Sequence, residues 1–218
     1  AVSVLKSGAP TLLMMTGQSL YEYGLNLAGR IATSTGARLM AQGSNQRLQR
    51  GAGIVPLNRV PYPVPQALEV LSPYEHIILI GAKPPIAFFA YPNQPSELHP
   101  EGCQIHRLAE LDEDMIDALE RVADAVGAKE GSAKTQKAFK PDMPSGTLDP
   151  DTIAAVLGNL MPEGAIIADE SVTTGRGFYP LTAGAPPHDW MNNMGGSIGL
   201  GMPLATGASV ACPDRKVI

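Results

Sequence analysis

The sequence predicts an α/β protein: a doubly wound domain on a parallel sheet, followed by the opening part of a second α/β domain. Three observations predict it. From residue 11 to 127, short apolar runs alternate with amphipathic stretches, the pattern of repeated strand-helix units. Residues 127–148 are rich in Lys, Gly, Ser and Pro without periodicity, as an exposed linker is, and a further helix and strand follow. At 218 residues the chain also exceeds the roughly 100 to 200 of a single domain. The expected division is a first domain over 1–127, a linker over 128–148 and a second domain beginning at 149.

The elements follow in order. Ala1 to Gly8 reads as the tail of a helix. Thr11-Leu12-Leu13-Met14-Met15 is a continuous apolar run ended by Thr16-Gly17, as expected of a strand buried on both faces. Leu20, Leu27 and Ile31, with Tyr23 and Ala28 between them, recur at helical spacing up to Gly36, which serves as the stop. Ala37 to Ala41 is the second strand. A polar, glycine-rich loop and a proline-rich bend from Pro56 to Pro65 then lead to a short helix over Gln66 to Leu71. His76 to Ile80 is the third strand. Gly81 to Ser96 holds four prolines and is expected as a long loop at the carboxyl edge of the sheet. Cys103 to Leu108 is the fourth strand, and Met115, Leu119, Val122 and Val126 trace the apolar stripe of a helix. Beyond the linker, Asp149-Pro150 offers a cap with proline in the first helical position, and Ile153, Val156, Leu157 and Leu160 form the helix's buried face. Ala165-Ile166-Ile167-Ala168 is the next strand, and Lys216-Val217-Ile218 reads as a strand just begun.

Composition narrows the classes of function. Hydrophobic residues make up 44% and charged residues 17%, which excludes a disordered chain. A formal net charge of −5 without a basic run argues against nucleic acid and against an anionic membrane surface. No apolar run approaches the roughly 18 to 20 residues of a spanning helix and no basic-then-apolar leader opens the chain, so a cytoplasmic location is the default. Cys103 and Cys212 lie far apart with no metal-ligand spacing and read as buried small hydrophobes. The chain lacks an initiator methionine and ends on a strand, so it is expected to be a fragment of a longer protein.

Two stretches could hold a ligand. Met191-Asn192-Asn193-Met194-Gly195-Gly196-Ser197-Ile198-Gly199-Leu200-Gly201-Met202-Pro203 carries four glycines in seven positions before an alanine-rich run to Ala211. Glycine permits positive φ and close approach of backbone to a ligand, although a tight loop before a closely packed small-residue helix would use it equally. Asp169-Glu170-Ser171-Val172-Thr173-Thr174-Gly175-Arg176 begins where a parallel strand ends, where hydroxyls and free N–H groups suit a phosphate. Ser171, Thr173 and Thr174 are also credible helix caps. Other residues take plainer readings. His76 and His106 read as hydrogen-bonded strand residues, His99 as solvated, and Arg176 as a partner in an ordinary salt bridge. His188, with Asp189 and Trp190, could line a substrate approach or lie at the surface. Glu110, Asp112, Glu113 and Asp114 read as acids favouring a helix N-terminus rather than as metal ligands.

Together these stretches resemble the start of the cofactor-binding domain in the thiamine diphosphate family that includes acetolactate synthase and benzoylformate decarboxylase. G-G-S-I-G-L-G-M-P, followed by L-A-T-G-A-S-V-A-C-P-D-R-K-V-I, is similar to the segment preceding that family's G-D-G metal motif, which would begin a few residues past Ile218. The resemblance implies that Ile198 wedges beneath the cofactor and holds it bent, and that the Gly196 carbonyl, next to Ser197, accepts from its exocyclic amino group. It places Val172, Thr173 and Thr174 where the diphosphate-contacting segment lies. It also makes residues 1–127 similar to the family's middle domain, on Gly29-Arg30-Ile31-Ala32-Thr33-Ser34-Thr35-Gly36-Ala37-Arg38-Leu39 and Ile80-Gly81-Ala82-Lys83-Pro84-Pro85. In full synthases that domain holds FAD. Here the loops Gln42-Gly43-Ser44-Asn45 and Lys83-Pro84-Pro85-Ile86 match neither synthase pattern, which argues against FAD.

The implied parent is a homo-oligomer, dimer or tetramer, that takes a small 2-oxo acid with thiamine diphosphate and Mg2+. Its reaction is acetolactate synthase-like carboligation after decarboxylation or, as the alternative, benzoylformate decarboxylase-like decarboxylation. No catalytic or metal-ligating residue of the family falls within these 218 residues, so this fragment alone is expected to be inactive. A reading from another class, a non-catalytic nucleotide-binding or structural α/β module, would be favoured by a reading frame without G-D-G downstream.

Overall fold

In the computed structural model, which describes residues 1–218, the elements run α1 (Val2–Ser7), β1 (Thr11–Met15), a 3-10 turn (Gly17–Leu20), α2 (Glu22–Thr35), β2 (Arg38–Ala41), β3 (Leu48–Arg50), β4 (Asn58–Arg59) and α3 (Val64–Leu71). They continue with β5 (His76–Ile80), β6 (Gln104–Ala109), α4 (Met115–Val126), α5 (Pro150–Leu160), β7 (Ile166–Asp169), α6 (Phe178–Leu181), β8 (His188–Asn192) and α7 (Gly201–Ala211). The chain divides into two units, Ala1–Gly43 with Leu57–Lys134, and Ser44–Pro56 with Thr135–Ile218.

The first unit is a five-stranded sheet in the order β4-β2-β1-β5-β6, and every pairing in it is parallel. All five residues of β1 are buried, because a central parallel strand is covered on both faces, and its one polar member, Thr11, donates its hydroxyl to the Ala9 carbonyl. Leu12, Met14, Ile77 and Leu79 pack in one cluster with Val64, Ala67 and Leu71 of α3. Strand alternation turns Leu13, Met15, Ile78 and Ile80 to the opposite face, where they are equally buried. Helix α2 contributes buried Leu25, Leu27, Ala28 and Ile31 and packs against α4, whose Met115, Leu119 and Val122 are buried. Asp114 caps α4 by accepting the amides of Ile116 and Asp117, so of the acidic run it is Asp114 that serves the helix N-terminus. His76 Nδ1 and His106 Nε2 lie 3.1 Å apart on neighbouring strands.

The second unit carries a three-stranded sheet in the order β3-β8-β7, with β7 and β8 parallel and β3 antiparallel to β8. Backbone bonds from Ile166 to Lys216 and from Ala168 to Ile218, both 2.8 Å, lay the last residues along the free edge of β7 as a parallel bridge. Asp149 and Thr152 close a reciprocal capping box on α5, with Pro150 as the first helical residue. Helix α5 packs on α6 so closely that a Cβ on Gly158 would collide with the Leu181 carbonyl. Trp190, 1% exposed, centres a core with Met161, Ala165, Ile167 and Ala185.

Several expectations need correction. The loop expected after β2 contains β3, and Ser44–Pro56 belongs to the second unit although it lies inside the range expected for the first. A three-residue strand is too short to show alternation, and its partner lies about 140 residues downstream. The proline-rich bend holds the two residues of β4, and α3 begins at Val64, with its proline in the first turn, rather than at Gln66. Cys103 and Cys212 are half-buried, not buried. His99 is largely shielded, its side chain 18% exposed beside Glu97. His188 lies in β8 and is 4% exposed, so it is not a surface residue.

One buried carboxylate joins the pieces of the second unit. Asp189 in β8 is 2% exposed and accepts Arg47 Nε at 2.6 Å and Arg215 Nη2 at 2.6 Å. Removing it by Asp189→Ala should cost about 3 kcal/mol in urea unfolding, because two guanidiniums lose their acceptor and two sheet edges lose their tie. Beside it, burial pushes the His188 imidazole down to about 4, against an opposing Nδ1 contact of 2.8 Å to the Pro186 carbonyl. The folded form stays neutral while the unfolded chain takes up a proton below the ordinary 6.5. Its contribution is therefore complete above pH 6.5 and is lost toward pH 4, by on the order of 3 kcal/mol. Urea stability of the wild type should fall more steeply between those limits than that of His188→Gln, and parallel profiles would refute the assignment.

Candidate functional site

At the carboxyl end of β7 the chain leaves a parallel sheet edge, where backbone N–H groups become free to meet a ligand. Asp169 and Glu170 stand there in succession, and each organises one of the two stretches. Asp169 Oδ1 accepts the Ser171 amide at 2.9 Å and the Ser171 hydroxyl at 2.5 Å, and Oδ2 accepts the Trp190 indole N–H at 3.1 Å. The Asp169 carbonyl accepts the Asn193 amide at 3.1 Å, which ties the exit of β8 to the end of β7.

After Ser171 the backbone turns sharply. The Thr174 amide and hydroxyl both donate to the Ser171 carbonyl, at 3.1 and 2.9 Å, and a Cβ on Gly175 would overlap Ser171 Oγ. Val172 adopts φ 44 and is 77% exposed. A β-branched residue in the left-handed region is strained by about 1–3 kcal/mol, and such strain collects where a turn presents its N–H groups to a ligand. The Thr174 hydroxyl already donates within the turn, so Thr173 carries the hydroxyl left to face solvent.

Glu170 holds the second stretch. Its Oε1 accepts the Gly199 amide and its Oε2 accepts the Gly201 amide at 2.6 Å. The bond from Gly201, then that from Gly199, keeps its carboxyl below the ordinary carboxylate range. Gly195, Gly196 and Gly199 take φ of 64, 68 and 91, which only glycine adopts without cost, and turns are closed by bonds from Ser197 to Met194 and from Leu200 to Ser197, both 3.2 Å. Ile198 stands at the crest of this loop, 96% exposed.

The structure thus brings Val172, Thr173 and Thr174 to the same end of β7 as Gly196, Ser197 and Ile198. Arg176 is exposed beyond the turn. No three His, Cys, Asp or Glu side chains converge in a way that could hold a metal ion, and no helix is long and apolar enough to cross a membrane. Sequence reasoning missed the roles of Asp169 and Glu170; the available signal was two consecutive acids ending an apolar strand immediately before cap residues. Replacing the strained Val172 by glycine should stabilise the chain by about 1 kcal/mol in urea unfolding. A destabilised Val172→Gly variant would show that the valine side chain contributes more than its backbone costs.

No protein-family model matches the chain. It is 44% identical over 215 residues to the Mycobacterium tuberculosis protein named "Putative acetolactate synthase large subunit IlvX", a match covering 99% of this chain and 41% of that protein. It is 36% identical over 73 residues to benzoylformate decarboxylase of Pseudomonas aeruginosa, covering 34% of this chain and 14% of that enzyme. Its fold is shared by the thiamine diphosphate-dependent 4-hydroxybenzoylformate decarboxylase of Rhodococcus jostii RHA1, with a TM-score of 0.74 at 20% identity over 99% of this chain and 44% of that one. The chain therefore spans less than half the length of the relatives it matches. Over that span, the chain is similar to acetolactate synthase large subunits and shares the fold of thiamine diphosphate-dependent enzymes.

Proposed function

We propose that the protein carrying this sequence uses thiamine diphosphate and Mg2+ to act on a small 2-oxo acid, joining two substrates in an acetolactate synthase-like carboligation after decarboxylation. The supporting observation is the match to an acetolactate synthase large subunit along 99% of the chain. The local likeness to benzoylformate decarboxylase favours a second reading, decarboxylation without carboligation. A cytoplasmic homo-oligomer, dimer or tetramer, is part of the same proposal.

The residues present fit the cofactor. The strained, exposed turn at Val172 and Thr173 could offer its backbone amides and a hydroxyl to a diphosphate, with Thr174 closing the turn behind them. The exposed side chain of Ile198 offers an apolar support for a bent ligand, and the exposed Gly195 and Gly196, having no side chains, allow a donor to approach the Gly196 carbonyl. When bound, thiamine diphosphate supplies a ring that accepts the electrons released as carbon dioxide departs. The chain's share is to seat and orient it. Asp169 and Glu170 are committed to holding the scaffold, so neither is free to move a proton for substrate. The 218-residue chain by itself is accordingly proposed to be inactive.

Calorimetric titration of this chain with thiamine diphosphate and Mg2+ should give a dissociation constant no tighter than about 0.1 mM, since no cluster of His, Cys, Asp or Glu side chains is placed to clamp the metal. Micromolar binding would overturn that part of the proposal. The full-length protein incubated with pyruvate should form acetolactate; release of benzaldehyde from benzoylformate without acetolactate formation would select the decarboxylase reading. Turnover of neither substrate would reject both.

A further inference from the structure

The glycine loop poses a physical problem that its own residues do not solve. Residues 195–199 are exposed, three of them are positive-φ glycines, and the loop's internal bonds only close turns. A segment of this kind has much conformational freedom to lose. Helix α7 begins behind it with Leu200 in the capping position, which has no side-chain oxygen to satisfy the helix's first amides.

We infer that Glu170 is the positioning residue that sets this loop before ligand arrives, acting as a capping group supplied to α7 from the end of β7. This inference rests on the proposed cofactor site. Both carboxylate oxygens are used, one on each of two alternate amides, Gly199 and Gly201. The Gly199 amide belongs to the peptide that follows Ile198, and a trans peptide directs its carbonyl opposite to its N–H. Holding that N–H against Glu170 therefore fixes the Ile198 carbonyl away from the carboxylate and fixes the Cα that carries the exposed side chain.

The steric evidence is independent of the hydrogen bonds. A Cβ on Gly201 would stand 2.9 Å from Glu170 Oε2 and 3.0 Å from Glu170 Cβ, so the absence of a side chain at 201 is what lets the carboxylate in. The arrangement also selects the anion subsite. The amides of Gly199 and Gly201 are taken by the carboxylate, which leaves the exposed turn at Val172 and Thr173 as the place proposed for a diphosphate. Preorganisation of this kind lowers the ordering cost that binding would otherwise carry.

The test uses the 218-residue chain and amide-resolved NMR. In the wild type, the Gly199 and Gly201 amide shifts should follow one carboxylate titration, with the bonded form present above the ordinary carboxylate range and lost as pH falls through the lowered folded value. In Glu170→Gln both shifts should be flat with pH. In Glu170→Ala, hydrogen exchange at both amides should rise at least about tenfold while β7 and β8 keep their protection. Gly201→Ala should reproduce the rise at Gly199 with Glu170 intact, which keeps the inference testable if Glu170→Ala fails to fold.

Titration with thiamine diphosphate and Mg2+ to millimolar concentration should perturb residues 172–174 and 196–199 in the wild type, with an affinity about tenfold lower in Glu170→Ala. Unchanged exchange at Gly199 and Gly201, or lost protection with unchanged affinity, overturns the positioning role. A wild type that shows no cofactor-dependent shift instead refutes the site proposed above, and the pH titration and exchange then decide by themselves whether Glu170 sets the loop.

Discussion

The second unit depends on a charge held out of water. Asp189 sits in the central strand β8 of a small sheet, and its two oxygens are shared between Arg47, just before β3, and Arg215, beyond α7. Burial of a carboxylate is costly unless paired and hydrogen-bonded, and here the cost is offset by two guanidiniums whose own side chains stay partly exposed. Arg215 also donates to the carbonyls of Gly164 and Ala165 at 2.6 and 3.3 Å, so the same group fixes the approach to β7. Arg50, one strand position from the chain of contacts, lies 3.6 Å over the Tyr179 ring and donates to Thr182 Oγ1 at 2.8 Å. A sheet of three short strands is thereby held by side chains as well as by its ladder.

That arrangement explains the site's position. With β8 pinned, Trp190 is buried and its indole N–H reaches Asp169, which in turn shapes the Ser171 turn. The packing of β8 thus reaches, through Trp190 and Asp169, the turn in which Val172 takes a left-handed conformation. The glycine loop, leaving β8 at Asn192, returns past the same strand end and is taken up by Glu170. The strand end works as a clamp with two arms, one carboxylate for each stretch.

What the sequence made legible follows from the range of the interactions. β1 and β5 were readable because a strand covered on both faces must be apolar at every position, and α4 because its stripe and its Asp114 cap lie within a few residues of one another. The capping box at Asp149 and Thr152 is likewise local. β3 was not readable: Leu48–Arg50 has no pattern of its own, and its partner His188–Trp190 is distant in sequence. For the same reason His188 read as lining a substrate approach or lying at the surface, since nothing adjacent to it announces the Trp190 core. The site was legible in its glycines, whose backbone freedom leaves a compositional trace, and illegible in Glu170, whose bonds reach residues 29 and 31 positions away.

This separation bears on what kind of knowledge the chain holds. Every carboxylate at the end of β7 is spent on backbone amides, a hydroxyl or an indole, and the remaining polar groups are amides and alcohols with no titration near neutral pH. Such a set can bind an anion, support an apolar ring and hold a loop in place, but it cannot deliver or remove a proton at a substrate carbon. Under the proposed function, seating the cofactor and choosing the reaction therefore fall to different residues. The loop from Gly195 to Pro203 accordingly carries a resemblance and no preference between the proposed carboligation and decarboxylation, because it holds no group that moves a proton.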